Sequence, residues 1–263
     1  MNFALSTMPD EPSPLVIKIL TVNTHKGFTF FNRHFILHEL RDAIRATGAD
    51  IVFLQEVIGA RRHVGVRPTR WPDTSHYEFL ADSIWSDFAY GQNAVYPHGD
   101  HGNALLSKFP ILRSRNYDVS VGRHERRGLL HCVIRLPGVQ QNQEIHAICV
   151  HLGLREMQRR SQLDSLCRMI SEDIPGNLPL VIAGDFNDWR LKAQKRLTRA
   201  TSLREVFFDT QGNVARTFPA RYPLLRLDRI YVRNACAYRA LPLSTRPWTH
   251  LSDHAPLAAE ITL

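Results

Sequence analysis

The sequence has few cysteines and no long apolar run, and both absences limit what the chain can be. Its 263 residues include four cysteines, which lie far apart and form no C-x-x-C pair, so neither a zinc ribbon nor a disulfide scaffold is indicated. No stretch approaches the roughly 18 consecutive apolar residues that a transmembrane helix needs. The N-terminus has no basic segment followed by an apolar one, so no secretory signal is expected. We therefore predict a reduced, cytoplasmic protein.

The charge balance is basic, and the composition is that of a folded domain. Lys and Arg number 33 against 25 Asp and Glu, which gives a formal net charge of +8. Such an excess favours polyanionic partners, namely nucleic acid, phospholipid headgroups or soluble phosphoesters, although solubility alone also explains it. Hydrophobic residues make up 44% of the chain, which excludes a disordered or fibrous protein and allows a buried core.

Short apolar runs predict many strands, and two segments predict helices. The helices are expected from Asn32 to Gly48 and from Glu156 to Ile170, the second with Met157 in its apolar stripe and Arg159 outside. We expect a flexible segment over residues 1–14 and one domain over 15–263, with sheets inside and helices outside. The predicted strands are 15–23, 50–57, 88–96, 102–109, 128–136, 144–153, 178–186, 227–233 and 255–263.

Polar side chains suited to catalysis recur at the ends of these apolar runs. The segments are LTVN, VFLQE, AICVH, LVIAGDFND, LDRIYV and SDHAPL. Any one of them is also explained as a turn or a hydrogen-bonded core residue. Six together favour one site at a sheet edge, where loops leave a cleft. The residues concerned are Asn23, Glu56, His151, Asp185, Asn187, Asp228, Asp253 and His254.

In this order the segments resemble the endonuclease/exonuclease/phosphatase superfamily, which includes deoxyribonuclease I, repair nucleases, neutral sphingomyelinases, deadenylases and inositol polyphosphate phosphatases. The resemblance runs from about residue 15 to residue 263, and GDFN together with SDH is its most specific part. It implies an α/β fold, a four-layered αββα sandwich of two packed mixed β-sheets flanked by helices. It also implies dependence on a divalent metal ion and hydrolysis of phosphoesters.

Oxygen ligands for a hard metal ion are present in these segments. Glu56 and Asp253 carry carboxylates, and Asn23 carries an amide oxygen, which together suit Mg²⁺ or Mn²⁺. No thiolate pair or dense histidine cluster favours zinc. Because Mg²⁺ normally keeps several waters and needs only one or two carboxylates, this sparse set is sufficient.

The base and acid roles come from the resemblance. It implies that His254, paired with Asp228, activates the attacking water and that Asp185 lies beside this water. His151 would then protonate or stabilise the leaving oxygen, and Asn187 would contact the phosphate or a metal-bound water. Family members have been assigned base and acid differently, so which histidine has which role stays open.

Basic and polar residues near these segments are predicted to bind the substrate. Arg61 and Arg62 follow VFLQE, and Arg127 lies in RRGLL, which resembles a segment that directs a basic residue towards the phosphate in many family members. Asn103 and His25 complete this predicted set. The arginines are also explained as an ordinary solvated surface, but clustered near a site they would bind phosphates.

We therefore predict a metal-dependent phosphodiester hydrolase, a monomer by default, with DNA as the favoured substrate because of the positive charge. The alternative is a phospholipid or sphingomyelin-type phosphodiesterase, or an inositol phosphate phosphatase. Aromatic residues such as Phe28, Trp71 and Trp189 would, if exposed, suit either base stacking or a bilayer surface, and local packing also explains them. A catalytically silent nucleic-acid-binding relative is a third reading, against which the complete polar set argues.

Overall fold

The computed structural model describes residues 14–29, 34–61, 71–122, 125–137 and 143–263, which contain twelve strands and six helices. The strands are β1 (Val16–Asn23), β2 (Ile51–Arg61), β3 (Asp87–Tyr96), β4 (Gly99–Ser107), β5 (Ile111–Asp118), β6 (Gly128–Arg135), β7 (Glu144–His151), β8 (Leu180–Asp185), β9 (Arg204–Glu205), β10 (Asp228–Arg233), β11 (Ala237–Leu241) and β12 (Leu257–Thr262). The helices are α1 (Leu37–Thr47), α2 (His76–Ile84), α3 (Glu156–Asp173), α4 (Lys192–Thr201), α5 (Val206–Gln211) and α6 (Trp248–Leu251).

The strands form two mixed sheets of six strands each. The first has the order β11-β12-β1-β2-β4-β3 and the second the order β5-β6-β7-β8-β10-β9. In each sheet one central pair is parallel, β1 with β2 and β7 with β8, and the neighbouring pairs are antiparallel. This confirms the predicted α/β architecture with two mixed sheets.

Three buried layers hold the sheets and helices together. The inner layer packs residues such as Ile19 and Phe53 of the first sheet with Leu130 and Val181 of the second. A second cluster joins the outer face of the first sheet to α1 and α2, and a third joins the outer face of the second sheet to α3 and α4. The order of layers is therefore helix, sheet, sheet, helix, as expected. None of the described helices is long and apolar enough to cross a lipid bilayer.

The nine predicted strands are present, and the missed elements include some with little apolar sequence. Strand β5 reads ILRSRNYD and is mostly exposed at the edge of its sheet, so it has no apolar run to detect. Helix α4 reads KAQKRLTRAT and buries only a narrow face. Edge strands and surface helices bury few side chains, and the sequence pattern is weak for that reason.

Three details of the predicted helices need correction. Helix α1 begins at Leu37, later than predicted, and the expected cap Asn32 lies outside the described residues. Met157 is not in the apolar stripe of α3, because its side chain is 85% exposed. Arg159 is only 3% exposed rather than outside, since its guanidinium lies over the ring of Trp189 and donates to the carbonyl of Gly153.

The strands of both parallel pairs have their carboxyl ends at the same edge of the sandwich. Strands β1 and β2 run in register to Asn23, and β7 and β8 run in register to the pair His151 and Asp185. The close approach of β7 and β8 requires glycine at Gly184, whose φ is +144° and where an added Cβ would lie 2.0 Å from the carbonyl oxygen of Val150. We call this edge the catalytic edge.

Candidate active site

A buried group of two carboxylates and one imidazole lies at the catalytic edge. Antiparallel pairing of β10 with β8 places Asp228 opposite Asp185, and each is 2% exposed. His254 Nδ1 donates to Asp228 Oδ2 over 2.8 Å, and its Nε2 is 4.0 Å from Asp185 Oδ2. One ligand atom from each of the three lies within 4.8 Å of the others, and within the described ranges no other trio of acidic, His or Cys side chains does so.

Burial and mutual charge shift the protonation of this group. Burial alone would lower the pKa of His254, but the charges of Asp228 and Asp185 and the hydrogen bond to Asp228 raise it to about 10. Burial raises the pKa of Asp185 above its ordinary range; the charge on His254 opposes this shift and that of Asp228 adds to it. The protonation of His254 and that of Asp185 are therefore linked, and a positive charge close to them would change both.

His151 and Glu56 join the first sheet to the second. His151 Nε2 lies 3.6 Å from Asp185 Oδ2 and 4.0 Å from Glu56 Oε1. Glu56 occupies a bulge of β2, with φ of +55°, and such bulges redirect a side chain out of the regular alternation. Burial and the positive charges of Arg127 and His254 hold the pKa of His151 well below its ordinary range, so its ring is neutral near pH 7.

Asn187 holds the carboxylate of Asp185 in place. Its backbone N–H donates to Asp185 Oδ1 over 2.8 Å, and its side-chain amide donates to Asp185 Oδ2 and to the carbonyl of Leu152. The backbone of Asn187 has φ of +50°. Strained non-glycine residues of this kind are concentrated at functional sites, and Asn187 and Glu56 are both examples at this edge.

The remaining predicted ligands form a second small network beside the first. The backbone N–H of His25 donates to Asn23 Oδ1 over 3.0 Å, and His25 Nε2 lies 3.9 Å from Asp253 Oδ2. Ser252 connects this network to the histidine, because its hydroxyl donates to the carbonyl of Asn23 and accepts from the backbone N–H of His254. The sequence interpretation overlooked Ser252, although it is the first residue of the SDH segment.

The predicted substrate-binding residues differ in their surroundings. The guanidinium of Arg127 donates to the carbonyl of Leu152 and to Glu125, so it is held within the protein close to His151. Asn103 is completely buried, and its amide donates to the carbonyls of Gly128 and Cys149. Arg61 ends β2, but its side chain is outside the description, and Arg62 lies outside the described residues altogether.

Two residues near the cluster were missed from the sequence, Lys26 and His101. The charge of Lys26 lowers the pKa of both His101 and His151, which puts its ammonium group within electrostatic reach of both rings. Lys26 has φ of +58° in a short 3₁₀ turn directly after β1. The available signal was its place two residues before Phe28, in a loop already expected to border the site.

Two cavities lie beside residues of the site. One, of about 350 Å³, is lined by Lys26, Phe28, Tyr96 and His101, with Tyr96 and His101 stacked at 5.4 Å. The other, of about 720 Å³, is lined by Asp253 and by residues of the loop before β10 and of the segment around α6. Asp185, Asp228 and His254 are among the lining residues of neither cavity.

Comparison with known proteins identifies the family. Residues 21–254 match the model of the Endonuclease/Exonuclease/phosphatase family. The chain belongs to this family. It is 56% identical to the protein YbhP of Escherichia coli (strain K12) over 256 residues, covering 97% of this chain and all of that protein. It is also 34% identical over 124 residues to the UPF0294 protein VP2298 of Vibrio parahaemolyticus, covering 45% of this chain and 38% of that one.

Solved structures of the family share the fold at low sequence identity. A family member from Beutenbergia cavernae superposes with a TM-score of 0.76 at 18% identity, covering 94% of this chain and 72% of that one. D. rerio TDP2 complexed with a single-strand DNA product gives 0.66 at 16% identity over 94% and 98% of the two chains. The Bacteroides thetaiotaomicron mannosyl-6-phosphatase Bt3783 gives 0.68 at 13% identity over 94% and 100%. At these identities the likeness shows the shared fold.

The donor atoms at this edge suit a hard divalent cation. Members of the family are generally metal-dependent, and the acidic and imidazole trio is one possible site. In that trio, however, the hydrogen bond between His254 and Asp228 uses one donor and one acceptor. Glu56, Asn23 and Asp253 offer oxygen atoms that are only partly engaged, and oxygen is the donor that Mg²⁺ and Mn²⁺ prefer.

Proposed function

We propose that the protein is a divalent-metal-dependent phosphodiester hydrolase. The observation that carries the proposal is the buried unit in which Asp228 holds His254, with Asp185 and His151 on the far side of the same cluster. Family membership supports hydrolysis of phosphoesters. Cavities beside Lys26 and beside Asp253 offer room for groups of a substrate near this cluster.

The attacking water is bound and deprotonated between two buried side chains. The 4.0 Å that separate His254 Nε2 from Asp185 Oδ2 is a distance that one bridging water can span with a hydrogen bond to each. Nδ1 of His254 donates to Asp228, so Nε2 is the atom that takes the proton from the water. Asp228 stabilises the imidazolium that forms.

The leaving oxygen is stabilised on the opposite side by His151. Because its ring is neutral, His151 Nε2–H donates a hydrogen bond to the leaving oxygen as its negative charge develops. The amide of Asn187 orients Asp185 and, with Arg127 and His25 nearby, provides donors for the nonbridging phosphate oxygens. Asn103 supports this side from within the core through its bonds to the backbone of β6 and β7.

The metal ion would be held by Glu56, Asn23 and Asp253, and we propose Mg²⁺ or Mn²⁺ from the oxygen donors. When bound, such an ion neutralises a phosphate oxygen and the charge that develops in the transition state. A cation held there would oppose the effect of the carboxylates on His254, so the pKa of His254 would be lower than in its absence and the ring could act as a base.

DNA is the substrate that the sequence favours, because of the net charge of +8. D. rerio TDP2, which shares the fold, is complexed with a single-strand DNA product, and this supports a nucleic acid substrate. A lipid phosphodiester is the second candidate, and a specific observation favours it: large apolar side chains are exposed around the catalytic edge. Those of Tyr222 and Leu224 are 78% and 64% exposed in the loop before β10.

The proposal is tested by measuring hydrolysis of a panel of substrates with added Mg²⁺ or Mn²⁺. The panel contains single-stranded, nicked and abasic DNA, RNA, and vesicles of phospholipid or sphingomyelin. We expect the wild type to hydrolyse at least one phosphodiester and the His254→Ala and Asp185→Ala variants to be inactive but folded. Full activity in both variants would overturn the assignment of the site.

A further inference from the structure

Exposed apolar side chains are concentrated at the catalytic edge. Among the large apolar side chains exposed within the described part of the chain, only Val16, Phe88, Leu112 and Phe208 lie elsewhere. We define the apolar rim as six exposed residues from four segments next to the site. Its members are Tyr96, Leu154, Met157, Trp189, Tyr222 and Leu224, which are between 40% and 85% exposed.

The loops that carry the apolar rim are attached directly to the site. Leu154 follows the strand that ends in His151, and Trp189 follows the one that ends in Asp185. Tyr96 ends β3, in the hairpin whose other strand begins beside the end of β2. The loop before β10 is tied to the ligand segment, because the N–H of Ala220 donates to the carbonyl of Asp253 over 2.7 Å.

Tyr222 and Leu224 are held outward by an ordered backbone. The N–H of Tyr222 donates to the carbonyl of Pro219, and the N–H of Leu224 donates to that of Phe218. The ring of Phe218 packs against His254 at 5.1 Å between ring centres. The loop therefore presents two apolar side chains to solvent at a fixed place. Exposed apolar side chains of this kind mark a surface that binds a partner.

Cationic residues accompany the apolar rim. Arg155, Arg190 and Arg221 are exposed and each directly follows or precedes a rim residue. From residue 212 to residue 227 the chain has three arginines and no acidic residue. Of the acids near the rim, Glu125 pairs with Arg127, and Glu156 pairs with Arg190 and Lys192. Glu39 and Asp253 line the cavity that Arg221 and Tyr222 also line. The rim thus combines projecting apolar side chains with exposed arginines.

We propose that the apolar rim docks the protein onto a bilayer that contains anionic phospholipid. Aliphatic and aromatic side chains enter the boundary between headgroups and acyl chains, while arginines bind the anionic headgroups. A nucleic acid would satisfy the arginines but would gain little from Leu154, Met157 and Leu224. Because the rim residues lie next to the segments that carry the site, docking places headgroup phosphates near the cluster. A lipid phosphodiester, the second candidate substrate above, would be presented in this way, and this part of the inference rests on the proposed function.

The test measures vesicle binding without turnover. Protein in the presence of a metal chelator is sedimented with vesicles of phosphatidylcholine and phosphatidylglycerol at 3:1, and with vesicles of phosphatidylcholine alone. The wild type is compared with a Met157→Ser/Leu224→Ser variant, because these two rim residues are 85% and 64% exposed and line neither cavity. The matched control is Leu112→Ser, because Leu112 is 36% exposed at the opposite edge. In parallel, hydrolysis of the soluble diester bis(p-nitrophenyl) phosphate is followed with Mn²⁺.

We expect the wild type and Leu112→Ser to bind the anionic vesicles more tightly than the neutral ones. The double variant should lose at least ~10-fold in vesicle affinity, since two apolar side chains no longer leave water, while it hydrolyses the soluble diester as the wild type does. If the wild type does not hydrolyse the soluble diester, the proposed function is contradicted. The vesicle-binding result still tests the docking proposal in that case.

Three results would overturn the docking proposal. The first is absence of wild-type binding to anionic vesicles, and the second is equal binding by the wild type and the double variant. The third is evidence of a different partner. In that result the double variant loses DNA affinity, or loses self-association measured by light scattering, while its vesicle binding equals that of the wild type. In that case the apolar rim binds nucleic acid or a second copy of the chain rather than a membrane.

Discussion

Replacement of Asp228 by Asn tests the proposed role of the buried pair most specifically. The side chains of Asp228 and His254 are almost fully buried and joined over 2.8 Å. Asn has the same shape but no charge, so the imidazolium that forms during attack loses a charge-assisted hydrogen bond of ~1.5–3 kcal/mol and its counter-charge in a poorly solvated place. The neutral amide also removes the preference for a proton on Nδ1. We expect kcat to fall by ~10²–10⁴-fold with little change in KM.

The assay is hydrolysis of bis(p-nitrophenyl) phosphate at saturating Mn²⁺, with thermal unfolding recorded for each variant. Asp188→Asn is the matched control, since Asp188 is also a buried aspartate of the GDFND segment, but its carboxylate accepts from the N–H of Ala193 at the start of α4. This control should lose ~1 kcal/mol of stability through the weakened cap and keep its kcat. A folded Asp228→Asn variant with the kcat of the wild type would show that Asp228 does not stabilise His254 during the reaction.

Three further predictions concern the metal, the cleft and the core. Glu56→Gln should require a higher Mn²⁺ concentration for half-maximal activity and recover as Mn²⁺ is raised; an unchanged Mn²⁺ dependence would contradict its role as ligand. Lys26→Ala should raise KM for an anionic diester and weaken the dependence of kcat/KM on salt, whereas an unaltered salt dependence would remove Lys26 from the cleft. Burial and the neighbouring His146 lower the pKa of His131 to about 4, so the unfolded state binds a proton first as the pH falls below ~6.5. The free energy of unfolding should therefore drop by up to ~3 kcal/mol between pH 6.5 and 4, and should drop less in a His131→Phe variant followed by urea denaturation at each pH.

The main features of the fold follow from the sequence because buried strands have a clear apolar signature. Strand β8, for instance, is buried over its whole length from Leu180 to Asp185 and was predicted almost to the residue. Strand β11 is short and half-exposed at a sheet edge, so neighbouring strands, rather than its own pattern, determine its conformation. The start of α1 was misplaced because Phe35 packs against Trp71 in a loop cluster instead of beginning the helix.

The candidate site was predictable as a set of residues but only partly as a geometry. Polar residues at strand ends converge because parallel neighbours end at one edge, which is why His151 and Asp185 could be expected together. The roles of Ser252 and Lys26 depend on backbone turns that no local pattern specifies. Lys26 in particular requires a left-handed backbone conformation, which sequence reasoning does not anticipate for lysine.

The apolar rim shows a different limit. Its members come from four separate segments of the chain, and each alone is an unremarkable surface residue. Their common position follows only from the order of strands in both sheets. Surface properties of this kind depend on tertiary structure, and they bear most directly on the choice between nucleic acid and lipid as substrate.

We propose that the buried cluster hydrolyses phosphodiesters with the help of a divalent cation. The most direct measurement is turnover of bis(p-nitrophenyl) phosphate by metal-stripped protein before and after addition of Mg²⁺ or Mn²⁺, with folded His254→Ala in parallel. We expect turnover only in the wild type and only with the cation. Equal turnover without the cation, or by His254→Ala with it, would contradict metal-dependent hydrolysis by this cluster.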